Sequence, residues 1–314
     1  MRIVFLGTGD IGLPSLEHLL TATSHEVVAV VTQPDKPVGR KQVLTPPAIK
    51  VRALAAGVPV LQPQRLRSPE PVAELAQYEA DVFVVVAYGQ ILSRTVLDLP
   101  RLACLNIHAS ILPVHRGASP IQAAIREGDA ESGITIMWMD EGLDTGPILL
   151  QDCFPLAPDE TGGSLHERLA QLAPSSLDRA LALLEAGTAP KIPQDDALST
   201  HCRKLEREHG HLDWTRPAEE LERLIRAYQP WPGTFTRLPG GERPLQLKVI
   251  RAGVAPSFSE DAVPGTVCVE GSRLLVACGD KALELSEVQL EGRKQMSGPD
   301  FLRGKGVATG QVLL

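Results

Sequence analysis

Apolar residues gather in short, β-branched runs through the first half of the chain. Residues 3–6, 27–31, 58–61, 82–87, 102–107, 134–139 and 148–150 each read as a strand, and stretches of helical spacing, the first over 11–20, separate them. Several runs are apolar at every position rather than at alternate ones. Such strands are buried on both faces, so the pattern predicts a mostly parallel sheet covered by helices, an α/β arrangement of the Rossmann-like kind. Ligands of these sheets collect at the carboxyl ends of the strands. Over 164–187 the residues Leu165, Leu169, Leu172, Leu177, Leu181 and Leu184 form a stripe, which predicts a helix packed on that sheet.

The pattern changes after Ala189-Pro190-Lys191-Ile192-Pro193-Gln194-Asp195-Asp196, a polar, proline-bearing stretch that reads as a linker. One helical segment (218–228) follows. Short β-like segments come next, near 234–237, 245–250, 265–269, 274–278 and 282–288, punctuated by glycine and proline. Five short strands in this length suggest a small OB-like β-barrel. The expected organisation is a catalytic domain over 1–189, a linker over 190–205 and a barrel domain over 206–314. A length of 314 residues suits two domains at about 100–200 residues each.

Composition narrows the class. With 43% hydrophobic and 22% charged residues, the chain can bury full cores. No apolar run approaches the roughly 20 residues that span a bilayer, and the opening residues read as a strand rather than a signal peptide. Five cysteines (Cys104, Cys153, Cys202, Cys268, Cys278) form no CxxC pair, which argues for a reducing, cytoplasmic setting. The net charge is −7, and all of the excess acid lies before residue 190. That balance neither announces nor excludes a nucleic-acid partner, because a neutral domain can carry a basic face.

Gly7-Thr8-Gly9-Asp10-Ile11-Gly12 follows a strand and opens a helix, which is the context of a dinucleotide-binding turn. Taken alone it favours a nicotinamide cofactor. The acidic residue further on, Asp35, sits in a proline-rich loop instead of a strand end. Glycines in such a turn can also serve steric needs alone.

A second constellation has no use for a nicotinamide. Asn106 and His108 are two apart on the fifth strand, so they project from one face at its carboxyl end. A restrained loop follows, Ser110-Ile111-Leu112-Pro113-Val114-His115-Arg116-Gly117. Beyond the next strand comes Asp140-Glu141-Gly142-Leu143-Asp144-Thr145-Gly146, with Asp144 in a glycine-flanked turn. An amide donor for an oxyanion, an imidazole that moves a proton near neutral pH, and a carboxylate that favours the charged imidazole together suggest acyl transfer without a protein nucleophile. No G-x-S-x-G elbow is present, and Ser110 lies beyond His108. The spacing of Cys104, His108 and His115 matches no usual zinc pattern, so no metal is expected.

These residues resemble the folate-dependent formyltransferases. The resemblance rests on Asn106-Ile107-His108, Ser110-Ile111-Leu112-Pro113 and Gly142-Leu143-Asp144-Thr145-Gly146. It extends to Thr32-Gln33-Pro34-Asp35-Lys36-Pro37-Val38-Gly39-Arg40 and to Pro230-Trp231-Pro232-Gly233, and so spans nearly the whole chain. It implies 10-formyltetrahydrofolate as formyl donor and, from the last two motifs, the α-amino group of initiator methionyl-tRNA as acceptor. It also implies Asn106, His108 and Asp144 as catalytic residues and Ser110, Ile111, Leu112 and Pro113 as folate contacts. Arg40 and Lys41 would approach the tRNA acceptor end, with the C-terminal barrel helping to hold the tRNA. Formyl transfer to another amine, such as a nucleotide sugar, a nicotinamide-dependent oxidoreductase and a non-catalytic tRNA-binding protein remain as alternatives.

Overall fold

The computed structural model describes residues 1–314 except 40, 240–242, 258, 260 and 305. Arg40 therefore lies outside the described residues. Among those described, no helix is long and apolar enough to cross a membrane.

The chain divides into two compact units: Met1–Pro120, Glu131–Pro155 and His166–Cys202 form the first, and Ile121–Ala130, Leu156–Leu165 and Arg203–Leu314 the second. The strands of the first are β1 (Arg2–Gly7), β2 (Glu26–Val31), β3 (Lys36–Val38), β4 (Val43–Thr45), β5 (Val60–Leu61), β6 (Val82–Val86), β7 (Ala103–His108), β8 (Arg116–Gly117), β9 (Glu131–Trp138), β10 (Ile148–Pro155) and β11 (His201–Cys202). Seven of them make the central sheet in the order β10-β9-β7-β6-β1-β2-β5. From β5 to β7 every pairing is parallel. All five residues of β6, Val-Phe-Val-Val-Val, are buried, as a central strand covered on both faces requires.

The run at 134–139 does not continue the parallel series. β9 pairs antiparallel to β7, with Asn106 opposite Met137 and His108 opposite Thr135. β10 then folds back along β9 as a hairpin. Hydrophobic runs fix that a strand exists but not its direction, and here β9 enters the β7 edge reversed. The leucine stripe lies in the helix Gly162–Glu185, with Leu165, Leu169, Leu177 and Leu181 fully buried. β3 and β4 make a separate exposed hairpin whose turn carries Lys41.

The second unit holds β12 (Thr234–Leu238), β13 (Leu245–Ala255), β14 (Val267–Glu270), β15 (Arg273–Ala277), β16 (Ala282–Leu290) and β17 (Met296–Ser297). Its sheet runs β12-β13-β16-β15-β14, all antiparallel. The two edges are joined through the last residues of the chain. The Val267 amide donates to Gln311 O and the Leu313 amide to Gly265 O on the β14 side, while Arg237 and Leu314 exchange both backbone bonds on the β12 side. The sheet thereby closes into a barrel, which removes the open edges. Trp214 is buried within this unit and donates its Nε1–H to Thr236 Oγ1 at 3.0 Å.

Candidate active site

Asn106 and His108 project from one face of β7, as period-2 geometry dictates. Asp144 arrives from the β9–β10 loop. Because β9 runs antiparallel, its carboxyl end lies away from His108, beside Cys104 and Leu105, and the loop must fold back to reach the pair. Glycine permits the fold: a Cβ on Gly146 would collide with the Trp138 carbonyl oxygen. Asp144 itself has φ 56°, in the left-handed region.

The Asp144 carboxylate is bound on both oxygens. Oδ2 accepts the Gly117 amide at 2.8 Å, and Oδ1 accepts Asn106 Nδ2–H at 3.4 Å. Gly117, at φ 120°, cannot carry a side chain, since a Cβ there would meet the Cys202 carbonyl oxygen. His108 Nδ1 stands 3.7 Å from Asp144 Oδ1, an ion-pair distance rather than a hydrogen bond. The three side chains therefore converge.

The histidine differs from the expectation of a ring held in its charged form. His108 is 5% exposed, and its Nε2 lies 3.1 Å from the His115 carbonyl oxygen. A carbonyl only accepts, so Nε2 carries the proton and Nδ1 keeps a lone pair in the neutral ring. Burial pushes the imidazole below its ordinary pKa. The Asp144 charge and the His115 carbonyl pull the other way but do not outweigh the loss of solvent, and His115 opposes charging as well.

The loop after β7 is fixed by the β9–β10 hairpin. Thr135 Oγ1 donates to Ser110 O at 2.7 Å and accepts the Leu112 amide at 3.1 Å. Gln151 Nε2 donates to Leu112 O at 2.8 Å. Ser110 Oγ donates to Val114 O at 2.6 Å, so the hydroxyl shapes the loop. Ser110 and Leu112 are buried; Ile111 and Pro113 are partly open to solvent. A cleft of about 240 Å³ begins two residues before Asn106, and its walls include Arg94, Leu97, Cys104, Trp138, Met139 and Lys191. Cys104 and Met139 share the face of Asn106.

Composition gave no hint that residues 190–202 belong to this site. Ile192 bridges to Ile148, Pro190 O accepts Trp138 Nε1–H at 2.9 Å, and β11 pairs with β8. The stretch read as a linker is stitched into the first unit. Gln194 in particular reaches the Asp144 loop, and a lone glutamine between prolines and aspartates carries no sequence signal of that kind.

The other candidates have structural partners. At Gly7, Gly9 and Gly12 an added Cβ would crowd Phe5, Val86 or Ala87, so close packing explains the glycines. Hydrogen bonds from Gln62 and Lys50 hold the Asp35 carboxyl below its ordinary pKa, which occupies the residue a ribose would need. Cys104 Sγ faces Met139 Sδ at 3.7 Å. Among the described residues no three His, Cys, Asp or Glu side chains are grouped to hold a metal ion.

Comparison with known proteins extends over the whole chain. Residues 1–181 match the formyl transferase family, and residues 204–306 match the formyl transferase C-terminal domain. The methionyl-tRNA formyltransferase of Pseudomonas paraeruginosa is 50% identical over 317 aligned residues, covering 100% of this chain and 99% of that protein. That of Akkermansia muciniphila is 48% identical, covering 97% and 96%. Among solved structures, WlaRD, a sugar 3N-formyl transferase crystallised in the presence of dTDP and 5-N-formyl-THF, superposes with a TM-score of 0.65 at 19% identity. It covers 94% of this chain and 99% of its own, a likeness of fold.

Proposed function

This chain belongs to the formyl transferase family, and on that premise we propose that it moves the formyl group of 10-formyltetrahydrofolate onto the α-amino group of methionine on initiator methionyl-tRNA. The product, N-formylmethionyl-tRNA, serves translation initiation. The observation that carries the reading is the convergence of Asn106, His108 and Asp144 within a chain half identical, along its full length, to methionyl-tRNA formyltransferases.

The cleft beside Asn106 fits part of a folate. Small-molecule sites commonly enclose about 300–1,000 Å³, so 240 Å³ suits a fused heteroaromatic ring and leaves the rest of the molecule outside. Leu97, Trp138 and Met139 offer apolar contact, and the Arg94, Asp98 and Lys191 rim offers polar partners. Ile111 and Pro113 are the parts of the 110–113 segment with surface to give a ligand, while Ser110 and Leu112 hold the loop from within.

When bound, 10-formyltetrahydrofolate supplies an activated formyl carbon and a nitrogen leaving group. An α-amino group has a pKa of about 7.7–8.0, so the acceptor is partly a free nucleophile at neutral pH and needs no strong base. Asn106 donates its second Nδ2 hydrogen to the formyl oxygen as negative charge grows there. His108, neutral and open at Nδ1, takes the proton the amine sheds and returns it to the departing nitrogen. Asp144 steadies the ring while it carries that proton. Arg40 and Lys41 are assigned to the tRNA acceptor end. The exposed Val38, Val43 and Leu44 on the hairpin that carries Lys41 are consistent with a segment that receives a partner.

The test is to incubate the purified protein with 10-formyltetrahydrofolate and charged initiator tRNA and to weigh the released amino acid. Formylmethionine supports the reading. Unmodified methionine, with the same protein formylating an amino sugar, would overturn it.

A further inference from the structure

Asp144 depends on a residue 50 positions further along the chain. Gln194 Nε2 donates to Asp144 O at 2.8 Å and to Gly146 O at 2.7 Å, one hydrogen to each. Gln194 Oε1 accepts from Arg116, from Nε at 3.0 Å and from Nη2 at 2.8 Å. Arg116 is 3% exposed, and its Nη2 also meets Asp196 Oδ1 at 2.8 Å. Every hydrogen-bonding position of the Gln194 amide is thus engaged. The orientation of that amide is not ambiguous, because a guanidinium only donates and a carbonyl only accepts.

We infer that Gln194, held by Arg116, is a positioning residue that fixes the left-handed turn at Asp144 and so aims its carboxylate at Asn106 and His108. The turn has φ 56° and needs external bonds to persist, since such backbone is costly for a residue with a side chain. The two carbonyls that Gln194 grips belong to Asp144 itself and to Gly146, the residue on which the loop folds back. The brace is closed on the other side: Arg116 immediately precedes Gly117, whose amide binds the Asp144 carboxylate. Gln194 therefore connects the backbone of Asp144 to the strand that receives its side chain. Glutamate could still accept from Arg116, but its carboxylate would face two carbonyl oxygens. Only an amide of this length satisfies both sides.

This inference rests on the catalytic reading of Asp144, and the experiment separates the two. Gln194→Ala, Gln194→Glu, Asp144→Asn and the double variant Gln194→Ala/Asp144→Asn are compared for kcat, KM for both substrates, the pH dependence of kcat/KM and thermal melting. A misplacement of about 1 Å can cost on the order of 100-fold in rate, so Gln194→Ala is expected to lower kcat by about that factor with KM nearly unchanged. Its acid limb should move in the same direction as that of Asp144→Asn. Gln194→Glu keeps the Arg116 contact, so the stretch stays docked, and should lose at least as much. In the Asp144→Asn background the Gln194 change should add little, because it acts through that residue. Wild-type turnover by Asp144→Asn would instead remove the catalytic reading itself. An impaired Asp144→Asn together with a Gln194→Ala that keeps wild-type kcat and pH profile would overturn this inference alone, as would fully additive losses in the double variant.

Discussion

Asp144 combines an unusual backbone with a precise task. Left-handed φ costs a non-glycine residue on the order of 1–3 kcal/mol, although aspartate tolerates it better than most. Its carboxylate lies 3.7 Å from a buried imidazole whose pKa burial holds low. His108 works as a neutral base, so activity should fall as pH drops through its pKa, below the ordinary value of about 6.5. Asp144 pulls that pKa upward. In Asp144→Asn the lower acid limb of kcat/KM should therefore shift to lower pH while the rate falls; an unmoved limb would show that the carboxylate does not act on His108. Asn106→Ala should cut kcat by about 100–1,000-fold, the usual cost of an oxyanion donor, with the fold intact by circular dichroism. Near-normal turnover would assign the oxyanion to another donor. Asn106 and His108 were legible in the sequence because strand period alone puts them on one face. Gln194 was not, because its role depends on a long-range contact that leaves no periodicity.

At the scale of elements, the β9–β10 hairpin does more than complete the sheet. Its buried Thr135 hydroxyl serves Ser110 O, the Leu112 amide and Gln151 Nε2 together. Thr135→Val keeps the shape but strands those polar groups, so it should lower stability by about 1–3 kcal/mol in a urea titration. Thr135→Ser retains the hydroxyl and should recover most of that loss; equal losses in both variants would point to the methyl group instead. Strand positions followed from the apolar runs within a few residues. The direction of β9 did not, since the burial pattern of a strand reads alike in both senses, and the exposed β3–β4 hairpin has no core face to write a pattern. The glycine-flanked turn after a strand already marked Asp144 as a site residue, and the resemblance of the motifs agreed with it, while the path its loop takes to reach His108 came only from the structure.

At the scale of the whole molecule, each unit is stabilised in its own way. The first is a sheet covered on both faces, whereas the second closes its barrel with residues 310–314. Leu313 is 4% exposed, and truncating a buried leucine costs about 2–5 kcal/mol. Leu313→Ala should therefore speed hydrogen exchange at the Arg237 and Val267 amides, which bond to Leu314 O and Gln311 O, while β1 and β6 stay protected. Uniform loss of protection across both units would mean that they unfold together. Five of the six strands described in the second unit were visible in sequence, but β17 and the closing strap were not, because such short segments carry no pattern.

The stitching of residues 190–202 into the first unit bears on anyone who splices this protein with its relatives. A chimera joined at position 190, where composition suggests a seam, would import a foreign Gln194 neighbourhood into the catalytic half. A junction placed after Cys202 would carry the brace with the site it serves.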